Sequence, residues 1–250
     1  MSIQWIIADV DGCLTPEESV PWDLASFAHF AQLAREASAG RGPTAPITLC
    51  TGRPQPYAEV LMKLLDVRAP AICENGAVLY TLHDNRARYA PGVTEERILD
   101  LRRVRAHIET ELLPGCPEAV IQFGKEAQIS VFSQRPDLLR AMQPEVVAFA
   151  DRIGLALDVN LSHFYLNISL AGVDKGAALD ALLVELGVGR DDVAGIGDTE
   201  GDLPLREAVG FFACPANATE AIRDAADYVS PHSTLDGVLD ILARPEMKRA

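Results

Sequence analysis

Short runs of apolar residues, each ending in small or polar residues, recur along the chain and predict buried strands. They are residues 3–9 (IQWIIAD), 46–51 (PITLCT), 70–75 (PAICEN), 193–198 (VAGIGD) and 209–214 (VGFFAC). Runs of this kind are typical of parallel strands that are covered on both faces. Amphipathic stretches at 22–37, 55–65 and 175–186 predict helices, and Gly40 and Gly187 are placed to end two of them. This alternation of strands and helices predicts an open α/β sheet.

In the middle of the chain the pattern changes. Two helical stretches, 95–112 and 136–153, are each followed by a pair of short apolar segments, so the order is αββ twice over. Paired hairpins favour a small antiparallel sheet with helices on one face. We therefore predict an α/β core formed by residues 1–82 and 170–250, with an inserted α+β domain (αββαββ) formed by residues 83–169.

The charge balance and the start of the chain exclude several classes of partner. There are 36 acidic and 22 basic side chains, which give a net charge of -14 without a basic cluster, so we expect no nucleic-acid partner. The first apolar run soon meets a carboxylate, so we expect neither a signal peptide nor a membrane partner, and a cytoplasmic location. The five cysteines lack paired C-x-x-C spacing, which argues against a disulfide framework or a zinc site.

Polar residues follow the ends of the predicted strands, where ligands bind in open parallel sheets. They are Asp9, Asp11 and Gly12 after the first, Thr51, Gly52 and Arg53 after the second, Glu74, Asn75 and Gly76 after the third, and Asp198 and Asp202 after the fourth. Carboxylates gathered on one rim repel one another unless a cation neutralises them. Because all the ligands are oxygens, the set favours Mg²⁺ over zinc.

Other groups on the same rim favour an anion. They are the Thr51 hydroxyl, the backbone amides of the glycine-containing turns, and Lys175 at the start of a helix. A metal ion beside such donors describes a phosphate site. Asp9 is then placed to attack phosphorus while Thr51 and Lys175 hold the phosphoryl oxygens, which gives an aspartyl-phosphate. Asp11 is placed to protonate the leaving alkoxide and then to activate water.

Four segments, DVDGCLT, TLCTGRP, VDKGAAL and GIGDTEGD, resemble in this order the four motifs of the haloacid dehalogenase superfamily. ICENGAVL and AADYVSPHSTLDGVLDIL are similar to its Cof-type and sugar-phosphate phosphatase branch. The resemblance implies a Rossmann-like core with a large cap domain between the second and third motifs. It also implies roles for Asp9 as phosphorylated nucleophile and metal ligand, Asp11 as acid/base and metal ligand through its carbonyl, Thr51 and Lys175 as catalytic residues, and Asp198 and Asp202 as Mg²⁺ ligands.

Further residues are expected to contact the phosphate or the rest of the substrate. Gly12, Gly52, Arg53 and Asn75 are the candidates in the core, and Arg53 is either a structural partner of an anion or a substrate contact. His163, Tyr165 and Asn167 alternate along one predicted strand of the inserted domain and are candidates there. Two positions depart from the pattern of the branch. Gly201 stands where its members commonly have Asn, and Cys214-Pro215-Ala216-Asn217 replaces a Gly-Asn pair.

These inferences together predict a Mg²⁺-dependent phosphomonoesterase that acts on a sugar phosphate or another small phosphorylated metabolite. Its partner is then a small-molecule phosphate ester. Two alternatives stay open at this point. One is a phosphomutase of the phosphomannomutase type, and the other is a non-catalytic protein that binds a phosphorylated ligand. The identity of the ester and the oligomeric state have no counterpart in the motifs.

Overall fold

The chain forms two compact units in the computed structural model, which describes residues 3–17, 20–162 and 164–248. The core unit consists of residues 1–88 and 175–250, and the inserted unit consists of residues 89–174. The boundaries expected from the sequence, after residues 82 and 169, fall a few residues earlier. That the inserted unit is a cap which selects the substrate stays a prediction.

The described residues form the following strands and α-helices. The strands are β1 (Trp5–Ala8), β2 (Ile47–Leu49), β3 (Ala71–Cys73), β4 (Val78–Thr81), β5 (Arg86–Tyr89), β6 (Val120–Ile121), β7 (Gln128–Phe132), β8 (Leu157–Ser162), β9 (Tyr165–Leu170), β10 (Val193–Ile196), β11 (Phe211–Cys214) and β12 (Tyr228–Val229). The helices are α1 (Leu24–Ser38), α2 (Gln55–Leu65), α3 (Glu95–His107), α4 (Pro136–Ile153), α5 (Lys175–Leu186), α6 (Leu203–Glu207), α7 (Glu220–Ala225) and α8 (Thr234–Ala243).

The main sheet of the core unit is parallel and has the order β12-β11-β10-β1-β2. All four residues of β1 and all four of β10 are buried, as expected of strands covered on both faces. The sheet confirms the predicted α/β fold.

The predicted strand at 70–75 has a mixed role. Its β3 segment touches the end of β2 through one parallel bridge, Cys50 to Ile72, and then pairs antiparallel with β4. The sheet β3-β4-β5 was not predicted, because β5 (RARY) is polar, with three of its four residues exposed, and therefore carries no apolar run. Its turn contains Asn85 in the left-handed region, at φ 51°.

Local sequence sets the ends of the helices. Helix α1 begins after Asp23, whose Oδ1 accepts hydrogen bonds from Ala25 N at 2.9 Å and Ser26 N at 3.3 Å, so the helix starts later than the apolar pattern suggests. Helices α2, α4 and α5 have the predicted bounds. Gly187 follows α5 with φ 66°, a left-handed conformation that ends the helix without a steric penalty.

The inserted unit has an antiparallel sheet of order β6-β7-β9-β8 and the element order α3-β6-β7-α4-β8-β9, as the sequence pattern predicts. Helix α3 continues through one π-helical segment, Ile108–Leu112. Along β9, Leu166, Ile168 and Leu170 are buried while the alternate residues are half-buried, so one sheet face belongs to the hydrophobic core. Among the described residues, none of the helices is both long and apolar enough to cross a membrane.

Candidate active site

Two adjacent parallel strands carry the acidic residues. Asp9 directly follows β1, and its N–H donates to Ile196 O at 2.9 Å, which fixes it beside the end of β10. Asp198 follows β10 after Gly197, and Asp202 lies one turn further on. One carboxylate oxygen each of Asp9, Asp198 and Asp202 lie within 4.8 Å of one another, and all three residues are buried. The parallel sheet thus gathers three carboxylates in one place.

Lys175, the first residue of α5, places its ammonium group among these carboxylates. Its Nζ lies 2.9 Å from Asp9 Oδ1 and 2.6 Å from Asp202 Oδ1, and the Lys175 side chain is only 4% exposed. Burial alone would lower the Lys175 pKa, but the charges of Asp202 and Asp9 outweigh it and hold that pKa well above its usual value. Lys175 is therefore a permanent cation of the site.

Asp202 also organises the backbone around it. Its Oδ2 accepts hydrogen bonds from Asp198 N at 3.0 Å and Thr199 N at 3.2 Å, and with Thr199 it forms a capping box. A Cβ on Gly197 would lie 2.5 Å from Asp202 Cβ, so only glycine allows this approach. Asp202 thus links Lys175 to the loop that carries Asp198.

Asn217 is a member of the site that the sequence reasoning did not select. Its Nδ2 donates to Gly12 O at 2.9 Å and to Asp198 Oδ2 at 3.4 Å, while its Oδ1 accepts from Thr234 N at 2.7 Å. One amide therefore joins the loops after β1, β10 and β11 to the start of α8. The sequence offered one signal, since Asn217 closes the segment that replaces the Gly-Asn pair of the branch.

Asp11 points to a different partner from the other carboxylates. Arg53 Nε donates to Asp11 Oδ2 at 2.8 Å and Arg53 Nη2 donates to Asp11 Oδ1 at 2.7 Å, which is a bidentate ion pair. The guanidinium carbon also lies 5.1 Å from the centroid of the Tyr57 ring. Both charged side chains are partly open to solvent, 24% for Arg53 and 26% for Asp11.

Thr51, Gly52 and Asn75 lie at the ends of β2 and β3. The Thr51 side chain is fully buried, and its Oγ1 accepts a hydrogen bond from Arg53 N at 3.1 Å. A Cβ on Gly52 would lie 2.9 Å from Asn75 Oδ1, so the Asn75 amide rests against the Gly52 backbone. Glu74 and Asn75 have φ of 51° and 53°, a left-handed pair that non-glycine residues seldom adopt.

Gly12 and Cys13 pack against the Asp198 carboxylate. Gly12 has φ 80°, and a Cβ there would lie 2.0 Å from Asp198 Oδ2, so the position requires glycine. Cys13 Sγ donates to Asp198 Oδ1 at 3.7 Å. Burial and then the charge of Asp198 raise the Cys13 pKa well above its usual value, so it is a thiol.

The electrostatics of the three carboxylates fit a divalent cation. Burial raises the pKa of Asp9 to about 7. Burial, and then the charges of Asp9 and Asp202, raise the pKa of Asp198 to about 9. The single ammonium of Lys175 does not offset this excess of negative charge. Hard oxygen ligands with uncompensated charge are the donor set that Mg²⁺ prefers.

The candidates in the inserted unit belong to a hydrogen-bonded sheet face. Asn167 Oδ1 accepts from Ser130 Oγ at 2.7 Å, and Lys125 Nζ donates to the same Ser130 Oγ at 2.7 Å. Tyr165 OH accepts from Gln122 Nε2 at 3.1 Å. His163 lies outside the described residues.

The sequence matches one family over most of its length. Residues 6–108 and 147–242 match the haloacid dehalogenase-like hydrolase family. A phosphoglycolate phosphatase from Methanopyrus kandleri is 28% identical over 245 residues, covering 96% of this chain and 95% of the relative. Another phosphoglycolate phosphatase, from Halorubrum lacusprofundi, is 30% identical over 200 residues, covering 80% and 83%.

Solved structures show the same fold. A haloacid dehalogenase-like hydrolase from Bacteroides thetaiotaomicron superimposes with a TM-score of 0.73 at 18% identity, covering 97% of this chain and 99% of that one. A Thermoplasma acidophilum protein gives a TM-score of 0.69 at 20% identity, covering 97% and 98%. The chain belongs to the haloacid dehalogenase-like hydrolase family, as the order of its motifs predicted. Its enzyme class is that of the phosphatases.

Proposed function

We propose that this phosphatase hydrolyses a small phosphate monoester with Mg²⁺, through an aspartyl-phosphate on Asp9. The observation that carries the proposal is the position of Asp9. It directly follows β1, it is buried, and it is paired with Lys175 beside two further carboxylates. A carboxylate held between a fixed cation and a metal-binding cluster is suited to attack an anionic phosphoryl group, which would otherwise be repelled.

In the first half of the reaction an Asp9 oxygen forms a bond to phosphorus, and the bond from phosphorus to the ester oxygen breaks. The leaving alkoxide takes a proton from Asp11. Lys175 and the buried Thr51 hydroxyl are the groups of the chain that stabilise charge on the phosphoryl oxygens. The products of this half are the free alcohol and the mixed anhydride of Asp9.

In the second half Asp11, now a carboxylate, takes a proton from water, and the resulting hydroxide attacks phosphorus. The bond between phosphorus and Asp9 breaks, which releases inorganic phosphate and restores the Asp9 carboxylate. Asp9, Asp198 and Asp202, with the Asp11 carbonyl, are the groups that would hold Mg²⁺. When bound, this ion neutralises the carboxylates and the charge that develops on the phosphoryl group.

The names of the relatives favour one substrate among small phosphate esters. The relatives described above are phosphoglycolate phosphatases that align over at least four fifths of both chains. We therefore place 2-phosphoglycolate ahead of the sugar phosphates that the motifs alone suggest. Conversion of a hexose 1-phosphate to its 6-phosphate isomer, without release of phosphate, would instead indicate a mutase.

The decisive test combines turnover with trapping of the intermediate. Purified protein is assayed with Mg²⁺ for phosphate release from 2-phosphoglycolate, hexose phosphates and ethyl phosphate. The Asp9→Asn variant should lose at least about 10³-fold in kcat, because the amide is not a nucleophile and little volume changes. Acid quench with ³²P-labelled substrate should leave label on the wild-type protein and none on Asp9→Asn.

Asp180→Asn is the matched control. Asp180 lies on α5 in the same unit, its side chain is 40% exposed, and its partner is Arg190. This variant removes a carboxylate without touching the cluster and should keep wild-type kcat. Substantial turnover by Asp9→Asn, with the melting temperature unchanged, would refute Asp9 as the nucleophile.

A further inference from the structure

We infer that Arg53 is the receptor for a carboxylate on the leaving group of the substrate, and that this carboxylate replaces Asp11 on the guanidinium. The inference rests on the proposed function, because it assigns a substrate class to the same site. That class is a phosphate monoester with a carboxylate on the carbon next to its ester oxygen, as in 2-phosphoglycolate. Binding of such a substrate would release Asp11 for its proton transfers.

The geometry of the ion pair between Arg53 and Asp11 suits an exchange of carboxylates. Arg53 Nε and Nη2 each donate to a separate oxygen of Asp11, at 2.8 and 2.7 Å, so the guanidinium already presents its two-donor edge to a carboxylate. A guanidinium keeps its charge at any physiological pH, and its planar edge matches a carboxylate far better than an ammonium does. Another carboxylate can therefore take the place of Asp11 with the same two hydrogen bonds.

The ion pair between Arg53 and Asp11 is also accessible to solvent. The side chains of Arg53 and Asp11 are 24% and 26% exposed, whereas those of Lys175 and Asp202 are 4% and 0% exposed. A partly solvated pair exchanges partners at modest cost, since water screens the charges while the pair is open. Of these two ion pairs, that of Arg53 is the more exposed to solvent, so it is the one in which a dissolved carboxylate can replace the acidic partner.

The carboxylate of such a substrate lies a short distance from its ester oxygen. In the proposed mechanism Asp11 must approach the ester oxygen in order to protonate it. In 2-phosphoglycolate a single methylene group separates that oxygen from the carboxylate. A substrate whose ester oxygen lies beside Asp11 would therefore carry its carboxylate close to the guanidinium that pairs with Asp11.

Arg53 is held in place by contacts other than the one to Asp11. Its N–H donates to Thr51 Oγ1 at 3.1 Å, and its carbonyl accepts from Glu74 N at 3.0 Å, so both sides of its peptide backbone are fixed. The guanidinium carbon lies 5.1 Å from the Tyr57 ring centroid, a cation–π distance. The receptor therefore does not depend on Asp11 for its position.

The first experiment compares substrates that differ in the carboxylate. The ratio of kcat/KM for 2-phosphoglycolate to that for ethyl phosphate is measured for wild type, Arg53→Lys and Arg53→Gln. We expect this ratio to fall at least about tenfold in Arg53→Gln, with an intermediate value for Arg53→Lys. An equal loss for both esters, or a wild-type ratio near one, would overturn the inference even if phosphatase activity were confirmed.

The second experiment measures binding and does not need turnover. In an Asp9→Asn background, calorimetry with Mg²⁺ gives the Kd for each ester with and without Asp11→Asn. Removing the competing charge of Asp11 should tighten 2-phosphoglycolate at least about threefold more than ethyl phosphate. This preference should vanish when Arg53→Gln is added.

Two outcomes of the binding experiment would contradict the inference. If Asp11→Asn tightens both esters equally, the effect is general electrostatics, and Arg53 is only a structural partner of Asp11. If the preference persists in Arg53→Gln, the carboxylate binds elsewhere. Melting temperatures establish that each variant is folded. Failure of the proposed function would show itself separately, as lack of turnover of every ester by the wild type.

Discussion

Lys175 Nζ donates a 2.6 Å hydrogen bond to Asp202 Oδ1, and both side chains are buried. The same ammonium lies 2.9 Å from Asp9, so one cation serves both the residue at the end of β1 and the residue that orders the loop after β10. Charge and backbone geometry are coupled at this point, because Asp202 uses its other oxygen to hold two N–H groups. A substitution of Lys175 should therefore alter both the charge of the site and the geometry of the loop after β10.

Replacing Lys175 with methionine should leave buried carboxylates without their cation. Breaking a buried ion pair from one side costs about 3–5 kcal/mol, so we expect a large fall in melting temperature together with loss of turnover. Calorimetry and the phosphate-release assay measure these two effects. Lys63→Met is the control, because the Lys63 side chain is 61% exposed and pairs with Glu59 in the same helix. Equal melting temperatures for the two variants would contradict the predicted effect.

Gly12→Ala should damage the acidic cluster through contact rather than through backbone strain. A Cβ at Gly12 would lie 2.0 Å from Asp198 Oδ2, so Asp198 or the loop must move. Gly187→Ala is the matched control, since Gly187 also has a positive φ, 66°, but among the described residues beyond its chain neighbours no atom lies within 4 Å of the added Cβ. We expect both variants to lose about 1 kcal/mol or more of stability. Only Gly12→Ala should also lose kcat, by at least about tenfold.

Asn217→Ala should weaken Mg²⁺ binding without removing a charge. The Asn217 amide holds Asp198 Oδ2 and Gly12 O, and loss of such a supporting contact typically costs about 10–100-fold in metal affinity. The measurements are the Mg²⁺ concentration for half-maximal activity and the rise in melting temperature on adding Mg²⁺. Asn160→Ala, at an exposed residue of β8, should leave both unchanged. An unaltered Mg²⁺ response in Asn217→Ala would limit Asn217 to a purely structural role.

Stability without metal should depend on pH in a defined direction. The folded-state pKa values of Asp9 and Asp198, about 7 and about 9, lie above the ordinary value of 3.8, so the folded protein binds protons that the unfolded chain releases. The associated stability is fully present below pH 3.8 and is lost as the pH rises through about 7 and about 9.

The metal-free protein should therefore melt at a lower temperature at pH 9 than at pH 6. Mg²⁺ should remove this difference because it neutralises the ionised carboxylates. We expect the rise in melting temperature caused by Mg²⁺ to be larger at pH 9 than at pH 6 by at least about 3 °C, near 1 kcal/mol for a chain of this size. Scanning calorimetry with and without chelator measures it, and Asp198→Asn should reduce the pH dependence. A Mg²⁺ effect of equal size at both pH values would disagree with these pKa values.

Features set by short-range pattern were predictable. The apolar run before Asp9 predicted a buried strand, and the amphipathic pattern with Gly187 predicted α5 with its observed bounds, because burial and helix termination follow from local sequence. Parallel strands end on a common edge, so the gathering of Asp9, Asp198 and Asp202 followed from the strand assignments. The alternation of elements was enough to predict the fold.

Features that depend on long-range contacts were not predictable. Asp11 and Arg53 lie 42 positions apart, and the residues around them do not indicate that their side chains form an ion pair. Asn217 is 205 positions from Gly12, and its role depends on how the loop after β11 approaches the loop after β1. The pairing of β4 with β5 was not predicted for another reason. The outer strand, β5, is polar, so its hydropathy is that of a loop.

The thiol of Cys13, 3.7 Å from Asp198 Oδ1, bears on the resistance of the site to oxidation. Peroxide and alkylating reagents attack the thiolate, and both Cys13 and Cys50 are buried with pKa values raised well above the usual range by that burial. Sulfur therefore lies next to the carboxylates in its unreactive form. Burial thus protects the two thiols nearest the carboxylates from oxidation, whereas Cys116 is partly exposed and is the thiol that a reagent in solution reaches more easily.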